Sequence, residues 1–249
     1  MAIKKIRAAS QLAAATLNYL SKILKPGITS NEINHLCHQF IIKNQGHPGA
    51  LNYKGFPKSL CVSINNEVCH GIPKNQIIKE GDLVKLDVVV KKDGYFGDTC
   101  RCFVVGKGSP LAHQLKQVTY DAMWIAIKMV KPGVYINEIG TAIENHAKSF
   151  GFSCVRDFCG HGIGEKMHMD PYVPHFDTGE KGSQLKSGMT FTIEPMINQG
   201  DYKIKILADK WTAVTADNGL SAQWEHTILV TETGYEVLTL SEEEKATME

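Results

Sequence analysis

The stretch Lys25-Pro26-Gly27-Ile28-Thr29-Ser30-Asn31-Glu32-Ile33 returns 106 residues later (131 − 25) as Lys131-Pro132-Gly133-Val134-Tyr135-Ile136-Asn137-Glu138-Ile139. Each copy follows an amphipathic segment, ending near Leu24 or Val130, and each precedes another, Asn31–Asn44 or Asn137–Ser149. Pro-Gly stops a helix and turns the chain. Thr29-x-x-Glu32 is a capping box for the helix that follows, and the second copy carries Tyr135 in place of the threonine. The repeat then continues: Gly81-Asp82-Leu83-Val84-Lys85-Leu86-Asp87 matches Gly188-Met189-Thr190-Phe191-Thr192-Ile193-Glu194 at an offset of 107 (188 − 81). Both segments read as strands and both end in a carboxylate. Short helix–turn signals can recur by chance, but one offset held over two separate segments favours duplication. The expected architecture is α+β, with two αα-β halves at about 1–108 and 109–249 of one domain spanning 1–249. A pseudo-two-fold axis relates the halves, their strands share an antiparallel sheet, and helices cover one face. The symmetry makes Asp87 and Glu194 counterparts at a central site.

Composition is that of a soluble globular protein: 249 residues, 43% hydrophobic, 21% charged, formal net charge +1. Neither a nucleic acid nor an anionic membrane is indicated as a partner by that balance. Lys4, Lys5 and Arg7 precede an Ala- and Leu-rich stretch, which superficially resembles a signal peptide. Gln11, Thr16, Asn18, Ser21 and Lys22 interrupt it, and Ile6, Ala9, Ala13, Leu17, Leu20 and Leu24 recur at helical spacing. An amphipathic first helix is expected, and no membrane span. Seven cysteines, an odd number without C-x-x-C pairs, fit reduced, mostly buried thiols in a cytoplasmic protein.

Asp93-Gly94 is a two-residue hairpin signal between two β-rich runs. With that turn, Lys92 faces Tyr95 and Val89 faces Asp98, so Asp87 lies diagonally across from Asp98 on one face. Diagonal neighbours are about 7–8 Å apart at the backbone. Two carboxylates there repel, and one stays protonated unless a cation compensates. Taken singly, Asp87 could instead be a hydrogen-bonded core group and Asp98 a solvent-facing residue after the turn. The second half adds His161 between Gly160 and Gly162, Glu194 at the end of an apolar strand before Pro195, and Glu225 opening the apolar run Trp224–Val230. A lone histidine between glycines is more often a loop residue than a ligand. Carboxylates within apolar strands are costly unless paired or metal-bound. Four carboxylates and one imidazole suit Mn, Fe, Co or Zn. They exceed the needs of one ion with an open position, whereas two ions about 3.5–4 Å apart would use them all.

Asp87 with Asp98 eleven residues on (98 − 87), Gly160-His161-Gly162-Ile163-Gly164, Phe191-Thr192-Ile193-Glu194-Pro195-Met196, Ser221-Ala222-Gln223-Trp224-Glu225-His226-Thr227 and Cys69-His70-Gly71-Ile72-Pro73 occur in this order. Together they resemble the type I methionine aminopeptidases, over nearly the whole chain from Ile3 to Leu240. The resemblance implies the pita-bread fold and a metal-dependent aminopeptidase that removes the first methionine of nascent polypeptides, with a small second residue preferred. It implies that Asp87, Asp98, His161, Glu194 and Glu225 hold two divalent metal ions, with Asp98 and Glu225 shared between them. His70 and His168 match the two non-ligand histidines of the family's site; with Glu194 they are the expected catalytic groups. Tyr53, Phe56, Cys61, His70, Met167, His168 and Trp211 would form the substrate pocket. A monovalent cation near Asn65 and Ser221 is implied as well, together with a monomer in the cytoplasm and a transient ribosome contact.

Some positions depart from the family pattern. Met167 stands where an aromatic is common, Phe56 where tyrosine is frequent, and Ala50 where cysteine is frequent. Met169 replaces an acidic residue, Lys85 a small polar one, and Glu67 the ordinary neighbour of the cation. These put pocket shape and substrate range in question. The acidic tail Ser241–Glu249 is expected to fray. A proline-specific peptidase of the same fold, or a non-catalytic binding module, are the rival expectations.

Overall fold

The structure, a computed structural model, describes residues 1–248. The first half runs α1 (Ala2–Ser21), α2 (Ser30–Lys43), β1 (His47–Pro48), β2 (Cys61–Ile64), β3 (Glu67–Cys69), β4 (Leu83–Lys92) and β5 (Tyr95–Val104). The second runs α3 (Pro110–Met129), α4 (Ile136–Ser149), β6 (Ser153–Cys154), β7 (Gly160–Gly162), β8 (Met169–Val173), β9 (Thr190–Ile193), β10 (Met196–Asn198), β11 (Ile204–Ile206), β12 (Ala213–Thr215), β13 (Ser221–Gln223), β14 (His226–Val230), β15 (Tyr235–Val237) and α5 (Glu242–Met248). Glu249, which the single-domain expectation includes, lies outside the described residues.

The duplication is visible in hydrogen bonds. Thr29 bridges Ile77, and Tyr135 bridges Gln184. The Gly27 N–H donates to the Ile78 carbonyl at 2.8 Å, and the Gly133 N–H to that of Leu185 at 3.0 Å. Both glycines sit at φ +96°, where a side chain would be strained. Further along, the Gly81 N–H reaches the Val105 carbonyl at 2.7 Å, and the Gly188 N–H that of Val230 at 2.9 Å. Thr29 and Glu32 form the full capping box of α2. For α4 the Glu138 carboxylate accepts from the Tyr135 N–H at 2.8 Å.

Each half has its own core. Leu12, Leu17 and Leu20 of α1 and Ile33 and Ile41 of α2 pack on Val84, Leu86, Val88 and Val90 of β4. Leu115, Met123 and Ile127 of α3 and Ile139 and Ile143 of α4 pack on Phe191, Ile193, Ile197 and Ile228. All strand pairings are antiparallel, but the shared sheet is not one continuous ladder: it consists of β1-β4-β2 with β5 on β4, β13-β10-β6, β11-β12-β3 and β15-β14-β9-β7-β8. β12 pairs with β3 across the halves, and the strands of the second half are split between β9 and β10 and between β13 and β14, at Glu194 and Glu225. Cys100 of β5 bridges Glu225, which interrupts the run from β13 to β14.

Two sequence expectations change at the ends. α1 stops at Ser21 rather than continuing to Leu24. The tail forms α5 because Ser241 and Glu244 cap each other: the Ser241 N–H reaches Glu244 Oε2 at 2.8 Å, and the Glu244 N–H reaches Ser241 Oγ at 3.0 Å.

Candidate metal centre

The β4–β5 hairpin has the register that Asp93-Gly94 dictates: Lys92 pairs with Tyr95, Val89 with Asp98 and Asp87 with Cys100. Side chains two apart share a face, so Asp87 and Asp98 meet side chain to side chain. Asp98 is 5% exposed, which rules out a solvent-facing role after the turn. Glu225 is held over the hairpin by its backbone: its N–H donates to the Cys100 carbonyl at 2.9 Å, and its carbonyl accepts from Thr99 Oγ1 at 2.8 Å. His161 comes from β7, whose flanking glycines let it enter between strands. A Cβ at Gly160 would collide with the Thr192 carbonyl, and one at Gly162 with that of Asp170. Glu194 directly follows β9, with Thr192 Oγ1 donating to its Oε1 at 2.7 Å, while its own N–H donates to His175 Nε2 at 3.1 Å.

These side chains converge. Donor atoms of Asp98, His161 and Glu225 lie within 4.8 Å of one another. His161 Nε2 is 3.5 Å from Glu194 Oε1 and 3.9 Å from Asp98 Oδ2. Burial pushes the Asp87 carboxyl up to about 7 and that of Glu194 to about 8. Asp98 and Glu225 are driven well above the carboxylate range, first by burial and then by neighbouring carboxylates. Burial lowers His161 to about 4, so its imidazole is neutral and free to ligate. Asp98 Oδ1 and Glu225 Oε1 are buried without any hydrogen-bond partner among the described residues. Four crowded carboxylates, two with orphaned oxygens, and a neutral imidazole form a donor set that fits divalent cations, which favour the ionised forms.

The cluster is one wall of a cavity of about 340 Å³. All five expected ligands line it, and so do Tyr53, Phe56, Cys61, His70, Met167, His168 and Trp211. Phe56 and Trp211 meet edge to face at 5.2 Å. His70 lies between Trp211 at 6.2 Å and Phe158 at 5.1 Å, and burial lowers it to about 4. Its φ of +55° puts the residue in the left-handed region. Tyr53 Oη is 2.7 Å from His168 Nδ1, and the other ring nitrogen has no partner among the described residues. Phe158 and His175 escaped the sequence reading. Phe158 stands three residues before His161 and could have been found by its proximity to the Gly-His-Gly motif. His175 acts on a backbone N–H nineteen residues away, and nothing local marks it.

The departures separate in space. Ala50 lines the cavity, whereas Met169 is 39% exposed and does not. Lys85 is fully buried, and its Nζ donates to the carbonyls of Asn65 at 3.0 Å and Ser221 at 2.8 Å. The carbonyls near which a monovalent cation was expected are therefore engaged by this chain's own ammonium.

The description of metallopeptidase family M24 matches residues 4–232. Over 244 residues the chain is 48% identical to the methionine aminopeptidase of Salmonella typhimurium, covering 97% of this chain and 92% of that one. Its fold superposes on the crystal structure of methionine aminopeptidase from Rickettsia prowazekii with a TM-score of 0.94, at 48% identity and 96% coverage of each chain. The prolidase from Pyrococcus horikoshii shares the fold alone, at a TM-score of 0.76 and 23% identity over 97% of this chain and 62% of that one.

Proposed function

This chain belongs to metallopeptidase family M24, and from that premise we propose that it is a metal-dependent aminopeptidase that hydrolyses the N-terminal methionine from polypeptides. The observation that carries the proposal is the apolar cavity closed on one wall by five convergent ligands. Asp87, Asp98, His161, Glu194 and Glu225 would hold two divalent cations (Co, Mn, Fe or Zn), with Asp98 and Glu225 shared. Bound there, the cations supply Lewis acidity and a water acidic enough to be a nucleophile near neutral pH.

The chain's own groups do the rest. Glu194, steadied by Thr192, takes a proton from the attacking water. As the scissile C–N bond breaks, the same carboxyl returns a proton to the leaving amine. His168, set by the Tyr53 hydroxyl, donates to the carbonyl oxygen as negative charge develops there. His70 orients the scissile amide. Phe56, Cys61, Met167 and Trp211 enclose the unbranched methionine side chain, with Tyr53 at its edge. Met167 is flexible and polarizable, which suits it to a site where an aromatic is the family habit. A small second residue is the preference that the family resemblance implies.

The reading takes residues 1–249 as one metallopeptidase domain acting as a monomer in the cytoplasm; seven free cysteines, six of them buried, support the compartment alone. No helix of the described residues is long and apolar enough to cross a membrane. Nascent chains as substrates bring the protein to the ribosome. Arg7 is already paired with Glu236 at 2.7 Å and the Lys5 ammonium lies over the Tyr95 ring at 5.5 Å, so of the three basic side chains only Lys4 lacks such a contact among the described residues. Release of methionine from Met-Gly-Met in added Mn²⁺ or Co²⁺, beside an Xaa-Pro dipeptide as control, tests the proposal. Cleavage of the first, abolished by chelation, is expected; cleavage of only the Xaa-Pro peptide would transfer the chain to the proline-specific branch.

A further inference from the structure

Lys85 is one of the largest side chains buried without remainder in this protein, at 1% exposure. A lysine loses hydration there and needs oxygen partners. It finds two backbone carbonyls from opposite halves. Asn65, in the turn between β2 and β3, is held at φ +54° by its own amide, which donates to Asp82 Oδ1 at 2.9 Å and accepts from the Leu83 N–H at 2.9 Å. Ser221 opens β13, and its N–H donates to the same Asn65 carbonyl at 3.1 Å. The Nζ of Lys85 joins the carbonyls of both. Lys85, on the strand that carries Asp87, thus pins together the β2–β3 turn and the start of β13, which runs toward Glu225.

Convergent carbonyls in a dry site are the ligands of a hard monovalent cation, and the family resemblance implied one here. The site does not fit that ion, because a tethered ammonium already takes its oxygens. Glu67, itself 8% exposed, lies near enough to favour the ammonium, while its Oε1 pairs with Lys74 at 3.5 Å and its Oε2 accepts from the Ile64 N–H at 2.7 Å. Lys85 and Glu67 both depart from the family pattern, and they depart at one locus.

We propose that the Lys85 ammonium is the resident cation of this locus, a positioning residue that replaces a diffusible monovalent ion and makes the junction of the two halves independent of Na⁺ and K⁺. The proposal does not depend on the reaction catalysed, so its failure and that of the aminopeptidase reading are distinguishable.

The test is thermal unfolding of the full chain at fixed pH, ionic strength and Mn²⁺, in NaCl, KCl or tetramethylammonium chloride. The wild-type midpoint is expected to agree within about 1 °C across the three, a spread too small to report specific ion binding. Lys85→Ser should unfold about 5 °C or more lower in tetramethylammonium, a shift expected for loss of a buried charge–dipole contact in a chain of this size. It should regain much of that loss, saturably, in NaCl or KCl. A saturable rise of the wild-type midpoint in K⁺ or Na⁺ overturns the proposal. So does a Lys85→Ser midpoint that is the same in all three salts. If the serine variant yields no folded protein, Lys85→Gln, which keeps a donor and removes the charge, is read in the same way: cation-specific recovery supports the proposal, and indifference overturns it.

Discussion

Glu225 and Glu244 are both buried carboxylates, at 2% and 8% exposure, and His226 follows the one and bonds the other. Their environments are opposite. Glu244 Oε1 receives His226 Nε2 at 3.1 Å and the Tyr120 hydroxyl at 3.2 Å, and Oε2 receives the Ser241 N–H at 2.8 Å. Burial works against its charge, but hydrogen bonds and charge from His226, with those from Ser241, hold the carboxyl well below the ordinary range. Glu225 has an oxygen with no partner and Asp98, Glu194 and Asp87 as neighbours; burial and then those charges drive it well above that range. Donor supply, not burial, therefore decides whether a carboxylate is settled inside this protein. Where donors were provided the carboxylate is structural. Where four carboxylates crowd together and oxygens of Asp98 and Glu225 are left without a donor among the described residues, the deficit is the specification of a cation site.

Neutralising Glu225 gives the largest expected effect. Glu225→Gln should lower kcat/KM by about 100-fold or more, equivalent to about 2.7 kcal/mol or more of barrier, through loss of a shared ligand. Its metal-free fold should be as stable as wild type or more so, because one of four mutually repelling carboxylates is gone. Peptide kinetics, calorimetric Mn²⁺ titration and unfolding in chelator check the three parts. A marked loss of metal-free stability would put Glu225 in the same class as Glu244 and erase the contrast.

His168 and His226 repeat it at the level of imidazoles. Thr239 and Glu244 hold both nitrogens of His226, whereas only Tyr53 holds His168. His168→Ala should therefore lower kcat by about 100-fold, with KM changed far less, as expected for a donor used mainly in the transition state. Equal changes in both constants, in steady-state kinetics on Met-Gly-Met, would make His168 a binding group only.

How much of this was legible follows from the range of each interaction. The hairpin register was readable because a two-residue turn fixes it and side chains alternate with period two. The halves were readable because helix stops and caps are local signals that recur at a nearly constant offset. The cluster was readable in part: Asp87, Asp98, Glu194 and Glu225 are carboxylates too costly for apolar strands, while His161 carried only its place between two glycines. Glu244 was not: three glutamates opening a short segment look like a solvated tail, and the histidine that anchors it lies eighteen residues away. Nor was the role of Lys85, whose partners are twenty and 136 residues away. A side chain on β4 announces its face, not the carbonyls it will find there.

The pH dependence of metal-free stability separates the two regions next. Below about pH 6.5 the unfolded chain protonates histidines that the native state keeps neutral, namely His70 and His161 at about 4 and His175 at about 3, so stability rises as pH climbs toward 6.5. Asp87 at about 7 and Glu194 at about 8 act in the other direction, because the native state retains protons that the unfolded chain releases near pH 4. Above pH 6.5 the carboxylates set the trend until burial, which lowers Lys85 to about 8, brings an opposing contribution near pH 8. Stability in chelator should then fall between pH 6.5 and 8, with a slope of up to about 1.4 kcal/mol per pH unit for each retained proton. Saturating Mn²⁺ should flatten the fall by displacing those protons. Denaturant unfolding at the two pH values decides it, and a flat curve in chelator would mean the cluster is not proton-bound.

Glu244→Gln should have the smallest effect on activity and a moderate one on stability. The amide keeps the shape of the side chain but cannot accept from Ser241, His226 and Tyr120 together as a charged group. A loss of about 1–3 kcal/mol is expected, or about 2–4 °C for each kcal/mol at this chain length. Turnover of the folded protein should stay within about threefold, since Glu244 does not line the cavity. The sign of the acid dependence identifies the cause. A depressed carboxyl contributes its full stabilisation above its unfolded value near pH 4.5 and loses it as pH falls toward the native value, so the variant's deficit should be constant from pH 5 upward and shrink in acid. A deficit that persisted unchanged at pH 3 would mean the amide disrupts packing rather than charge, and Glu244 would no longer serve as the settled counterpart of Glu225.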